Sequence, residues 1–149
     1  MKKIKKPKVI VSMPAYNAAR TIKQAVAQIR RNVVDEIIVV DDASRDTTVE
    51  IAKKLPVKLV VQPKNQGYGG NLKSCFKAGL KDNADIIVIV HPDGQHDPKY
   101  IKDMVDPIIR DKYDVVVGSR FVYGWRGPRK GKMPFYRLFF NGFLSLLET

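Results

Sequence analysis

Apolar positions follow two alternating rhythms along the chain. Short, nearly continuous apolar runs occur at Lys8–Met13 (KVIVSM), Glu36–Val40 (EIIVV), Val57–Val61, Ala84–Val90 (ADIIVIV) and Asp114–Val117. The stretches between them have helical spacing. In the first, Ala18–Arg30, the residues Ala18, Ile22, Ala25, Val26 and Ile29 fall on one face. Asp46–Lys54, Tyr68–Lys81 and Asp97–Lys112 complete the helical set. Consecutive Val and Ile are what a strand buried on both faces requires. Five such strands alternating with helices predict a three-layer α/β/α domain with a mostly parallel sheet. Pro14 is expected to stop the first strand, and Ser44 or Asp46 to cap the second helix. Pro98 is expected to open the fourth helix, where its fixed φ is already helical and its missing N–H has no partner to lose.

Length and composition narrow the class. The 149 residues fit one domain. With 44% hydrophobic and 28% charged residues, the chain is neither collagen-like, nor a disulfide scaffold, nor disordered throughout. A lone cysteine, Cys75, has no internal disulfide partner. It points to a reducing, cytoplasmic setting and to a small buried hydrophobe.

The net charge of +12 is the unusual number. Much of it sits in two acid-free segments: Lys2, Lys3, Lys5, Lys6 and Lys8 at the start, and Arg120, Arg126, Arg129, Lys130, Lys132 and Arg137 near the end. The rest of the chain is almost balanced. A nucleic-acid-binding domain would interleave bases and aromatics on one face. Two localised patches suit phosphate or an anionic membrane better, and no nucleic acid is expected as partner. The basic start leads into Pro7 and an apolar run too short for a secretory signal. No run approaches the 18 or so apolar residues of a membrane span. Met133–Leu147 is the most apolar stretch, with Arg137, Asn141, Ser145 and Glu148 lining one polar stripe. It reads either as a core helix or as an interfacial helix beside a basic loop. The expected division is therefore a domain over 1–132 and an amphipathic helix over 133–149.

Open parallel sheets bind ligands at the carboxyl ends of their strands. Polar loops follow all five predicted strands. They are Pro14-Ala15-Tyr16-Asn17, then Asp41-Asp42-Ala43-Ser44-Arg45-Asp46, then Asn65-Gln66-Gly67-Tyr68-Gly69-Gly70, then His91-Pro92-Asp93-Gly94-Gln95-His96-Asp97, then Gly118-Ser119-Arg120. Two adjacent acids at Asp41 and Asp42 exceed what helix capping needs, and an acid at the end of a second strand suits ribose or base. Gly67-Tyr68-Gly69-Gly70 lacks the third glycine of a dinucleotide fingerprint but allows close approach of backbone to phosphate. Asp93 and Gln95 offer two hard oxygen ligands two residues apart, which suits Mg²⁺ or Mn²⁺ better than a closed zinc site. His91 by itself reads as a supporting or packed residue. No Ser-His-Asp or Cys-His pattern supports covalent acyl chemistry.

These five segments, in this order over roughly residues 8–121, resemble the family 2 glycosyltransferases of GT-A fold. They look most like the dolichyl- and undecaprenyl-phosphate sugar synthases. The resemblance implies a GT-A, nucleotide-diphospho-sugar transferase architecture. It also implies metal-dependent, inverting transfer of a sugar from a UDP- or GDP-sugar, with a polyprenyl phosphate as candidate acceptor. It places the nucleotide on Pro14, Ala15, Tyr16, Asn17, Asp41, Asp42, Gly69 and Asp93, and Mg²⁺ or Mn²⁺ on Asp93 and Gln95. Asp93 is then the catalytic residue, and Arg120 and Arg137 contact the acceptor phosphate. His91 departs from the pattern: it replaces the first acid of the family's D-x-D element. The implied location is the inner face of the cell membrane. The alternative is a donor-binding domain without turnover.

The chemistry is coherent on its own terms. A departing diphosphate needs its charge stabilised, and a divalent ion supplies that. A phosphate acceptor is already largely ionised near neutrality and needs no general base. A sugar hydroxyl would need one; none is evident in the sequence, which favours phosphate.

Overall fold

A computed structural model describes residues 6–95 and 97–118. The chain divides into a unit spanning Met1–Val116 and a second spanning Val117–Thr149. His96, Arg120, Arg137, the 132/133 boundary and the apolar 133–149 segment lie outside the described residues, as do Lys2, Lys3 and Lys5.

The elements run β1 (Val9–Ala15), α1 (Ile22–Gln28), β2 (Glu36–Asp41), α2 (Thr48–Ala52), β3 (Lys58–Val61), α3 (Gly67–Lys81), β4 (Ile86–Ile89), a 3₁₀ turn (Pro98–Tyr100) and α4 (Ile101–Ile109). The strands form one sheet in the order β3-β2-β1-β4. All three pairings are parallel. Every residue of β1 is buried, as its central place demands.

Alternation along β1 sends side chains to two separate cores. Val9, Val11, Met13 and Ala15 join Ile37 and Val39 against Ile22 and Val26 of α1, Ala52 of α2, and Ile101 and Val105 of α4. Ile10 joins Ile38 and Val40 against Cys75 of α3. Helices on both faces of a parallel sheet give the expected three layers. Burying each Ile or Val side chain contributes about 1.5–3 kcal/mol. The α3 layer sits close: a Cβ on Gly79 would lie 2.7 Å from Ile87 Cδ1. On the same side the Ser12 hydroxyl donates to the Cys75 carbonyl at 3.2 Å, satisfying a fully buried polar group.

Several expected boundaries moved, each for a local reason. Pro14 does not stop β1; it pairs in register with Val40 inside the strand. The Ala15 carbonyl accepts from Asp42 N–H on the β2 side, and the Ser12 carbonyl from Val90 N–H on the β4 side. Two-residue alternation therefore turns Pro14's missing donor toward β4, beyond the last pair, Ser12 with Ile89. Residues 18–21 form a turn rather than helix, with the Thr21 and Ile22 amides both reaching the Ala18 carbonyl at 3.0 Å. Helix α2 is shorter than expected, and neither Ser44 nor Asp46 is its N-cap residue. Asp97 does cap the next segment, accepting from Lys99 N–H at 3.1 Å with Pro98 at the first helical position. That segment begins as a 3₁₀ turn and ends at Ile109, with Asp111 in the left-handed region at φ 51°. The fifth strand, expected at 114–117, is absent: Val115 and Val117 are 73% and 81% exposed. A run of three valines forms a strand only where a ladder and a core receive it, and among the described residues β4 pairs with β1 alone.

Candidate functional site at the carboxyl edge of the sheet

The loops after β1 and β2 are stitched together. Asp41, fully buried, accepts the Ser44 amide at 2.9 Å and the Ser44 hydroxyl. That hydroxyl oxygen in turn accepts the Asn17 amide at 2.9 Å. Asn17 Oδ1 accepts the Arg45 amide at 2.9 Å. Asn17 and Ala43 hold left-handed backbones at φ 50° and 57° to make these turns. Asp46 accepts the Thr48 amide at 3.0 Å, the Thr48 hydroxyl and the Ala19 amide at 3.2 Å. Thr48 Oγ1 accepts the Ala18 amide at 2.7 Å. Burial opposes ionisation of Asp46, but the hydrogen bonds from Thr48 and Ala19 outweigh it and hold the carboxyl below its usual value.

Asp42 is 2% exposed and ties three segments together. Its amide donates to the Ala15 carbonyl at 2.8 Å. Its Oδ1 accepts the Gln66 amide at 2.8 Å, and its carbonyl accepts Asn65 Nδ2 at 3.1 Å. The start of α3 is thereby fixed against the end of β2.

A cavity of about 510 Å³ opens above these strand ends. Pro14, Ala15, Tyr16 and Asn17 line it from the β1 end, with Ala18 and Thr21 behind them. Asp42 lines it from β2; Asn65, Gly67, Tyr68 and Asn71 from the entry to α3; His91, Pro92 and Asp93 from β4. Tyr68 stacks on His91 with ring centroids 5.5 Å apart and planes 21° from parallel. The Tyr68 hydroxyl lies 3.4 Å from His91 Nε2.

The loop after β4 is built differently. Asp93 Oδ1 accepts the Gln95 amide at 2.9 Å across Gly94, whose φ of 73° suits glycine. Both Asp93 and Gln95 are exposed. Among the described residues no three His, Cys, Asp or Glu side chains converge as a metal cage. One carboxylate at a cavity edge instead fits Mg²⁺ or Mn²⁺, which keep waters and take the remaining oxygens from substrate phosphates.

Of the residues singled out in the sequence, Pro14, Ala15, Tyr16, Asn17, Asp42 and Asp93 converge on one cavity. Asp41 lies beneath, committed to the turn that holds Ser44. Gly69, in the first turn of α3, and Gln95 are not on the cavity wall. His91, read as a supporting residue, lines it. The sequence reading missed Thr21 and Asn71. Asn71 is 4% exposed; its Nδ2 donates to the Val40 carbonyl at 3.1 Å, and its Oδ1 has no partner among the described residues. Such an orphaned acceptor costs about 1–3 kcal/mol. Its signal was legible as an Asn sharing a helix face with Cys75 and Gly79, all three buried.

A polar cavity at the carboxyl edge of an open parallel sheet places the chain among ligand-binding, doubly wound α/β proteins. Within that class it belongs to glycosyl transferase family 2, whose model matches residues 10–148. It is 35% identical over 125 residues to the UDP-N-acetylglucosamine--dolichyl-phosphate N-acetylglucosaminyltransferase of Methanococcus voltae, covering 72% of this chain and 50% of that one. It is 33% identical over 138 residues to the dolichol-phosphate mannosyltransferase of Pyrococcus furiosus, covering 87% and 37%. The solved glucosyl-3-phosphoglycerate synthase of Mycobacterium tuberculosis, in complex with Mn²⁺, UDP and glucosyl-3-phosphoglycerate, superposes with a TM-score of 0.58. That match has 26% identity and covers 68% of this chain and 39% of that one. The expected GT-A architecture stands. The chain spans half the length or less of these relatives.

Proposed function

We propose that the protein transfers a sugar from a nucleoside-diphosphate sugar to a polyprenyl phosphate. The observation that carries the reading is the placement of Asp42 and Asp93 on opposite sides of one cavity, at the ends of β2 and β4. Two strand spacings separate those strands, about 10 Å. A nucleoside at Asp42 with its diphosphate at Asp93 fits that span. Pro14, Ala15, Tyr16 and Asn17 floor the nucleoside end, and Gly69 opens the helix beside it. Asp41 acts at one remove, through the Ser44 turn. Asp93, with Gln95 two residues on, holds Mg²⁺ or Mn²⁺. Bound there, the ion neutralises the charge that develops on the departing diphosphate.

The acceptor phosphate oxygen attacks the anomeric carbon as the bond from that carbon to the diphosphate breaks. One displacement with no protein nucleophile inverts the anomeric configuration. The names of the Methanococcus and Pyrococcus relatives, both acting with dolichyl phosphate, support this acceptor class. Arg120 and Arg137 would bind the acceptor phosphate, and the 133–149 segment would rest on an anionic membrane at the inner face of the cell membrane.

Calorimetric titration tests the reading. UDP or GDP should bind more tightly with Mn²⁺ than without it, and Asp93→Ala should abolish the difference while leaving metal-free binding in place. A nucleotide at 100 times its Kd should add about 2.7 kcal/mol of stability. The absence of any nucleotide binding, or an unchanged Mn²⁺ effect in Asp93→Ala, sinks the proposal.

A further inference from the structure

We infer that Asn71 selects the donor's base, admitting one that carries an imino N–H (uracil or guanine) and rejecting cytosine and adenine. The inference rests on the nucleotide-sugar reading above and adds to it a residue and a specificity.

Three observations carry it. Asn71 lines the cavity yet is 4% exposed, so whatever touches its amide does so away from bulk water. Its Nδ2 donates to the Val40 carbonyl at 3.1 Å. Turning the amide over would set Oδ1 against that carbonyl, acceptor to acceptor, so the bond fixes which atom is presented. The atom presented, Oδ1, has no donor among the described residues. A polar group left unpaired in a buried wall is a group awaiting a donor.

Position says which part of the ligand supplies it. Val40 belongs to β2, immediately before Asp41 and Asp42. Asn71 therefore shares the β2 end of the cavity with Asp42, away from the β4 end where Asp93 stands. The ligand portion at that end is the nucleoside. Asp42 and Asn71 both present acceptors there, so the nucleoside must offer donors on two fronts. Ribose hydroxyls suit the carboxylate. Asn71 Oδ1 then faces the base. Uracil N3 and guanine N1 carry a hydrogen; cytosine N3 and adenine N1 are acceptors and would leave two lone pairs opposed. A site built to accept a hydrogen bond discriminates sharply against a ligand that cannot donate it.

The test is calorimetric titration of the full chain with UDP, GDP, CDP and ADP, repeated for Asn71→Ala. Wild type should bind UDP or GDP at least about tenfold more tightly than CDP and ADP, equivalent to about 1.4 kcal/mol. Asn71→Ala should shrink that gap to under about threefold, mainly by weakening the imino nucleotide. UDP methylated at N3 is the second probe and needs no variant: wild type should bind it at least about tenfold more weakly than UDP. If the variant does not fold, this comparison decides, and equal binding of the two overturns the inference. No base preference in wild type overturns it, as does a gap that survives in Asn71→Ala. In both cases the nucleotide-sugar reading stands. Failure of all four nucleotides to bind removes that reading and this inference together.

Discussion

The loops after β2 and β4 face each other across the same cavity but are held by different means. Asp41, Asp42 and Asp46 accept hydrogen bonds from Ser44, Gln66, Thr48 and Ala19, joining the β1 and β2 loops and the start of α3. Asp93, in contrast, stands exposed on a turn closed by the Gln95 amide. One wall is finished before any ligand arrives. The other presents a carboxylate whose coordination partners must come from solvent and substrate. Rigid, prepaired acceptors suit recognition of a nucleoside, whose donors are fixed in space. A less constrained carboxylate suits a hard cation, which chooses its own octahedral set.

The largest effect that would break this contrast is Asp42→Ala. Loss of a charged acceptor at the finished wall should weaken nucleotide binding by about 10- to 100-fold, with and without Mn²⁺ alike. Equal tolerance of Asp42→Ala and Asp93→Ala in metal-free titrations would show that the walls do not divide their labour.

Next is Thr48→Val. It keeps the shape but strips Ala18 N–H of its acceptor, and should cost about 1–3 kcal/mol in denaturant unfolding. Gly94→Ala at the opposite wall should cost less, about 1 kcal/mol, from the strain of a side chain at φ 73°. A larger loss from Gly94→Ala than from Thr48→Val would reverse the ranking of the two loops.

The smallest effect is acid sensitivity. The Asp46 carboxyl is held below its ordinary value of 3.8, so the stability it confers is fully present above that value. It is lost as pH falls through the lower folded value. Unfolding midpoints followed from about pH 5 to about pH 2 should fall less steeply in Asp46→Asn than in wild type. Parallel slopes would show that the carboxylate is not what secures the β2 loop.

The sheet was legible in the sequence because its strands bury both faces. Runs such as Val9-Ile10-Val11 and Ile37-Ile38-Val39-Val40 have no helical alternative of the same length. The acids at 41, 42 and 93 were legible because strand ends in a parallel sheet gather polar loops on one rim. What stayed hidden depends on partners. Asp114–Val117 has strand composition, but strand formation is settled by a neighbouring ladder. Pro14 reads as a terminator until the register shows that its donorless side faces no pairing strand. Asn71 and Thr21 lie on or beside helices whose apolar pattern is otherwise unexceptional, so their place on a cavity wall appears only when α1 and α3 dock on the sheet.

The proline in β1 has a consequence for the durability of the cavity. Parallel strands lengthen their pairing readily wherever donors and acceptors continue to face each other. At Pro14 the ring occupies the place where the next hydrogen would be. β1 and β4 thus cannot zip together past Ser12 and Ile89, and the cleft between their ends is kept open by a covalent stopper rather than by packing that a substitution elsewhere could relax.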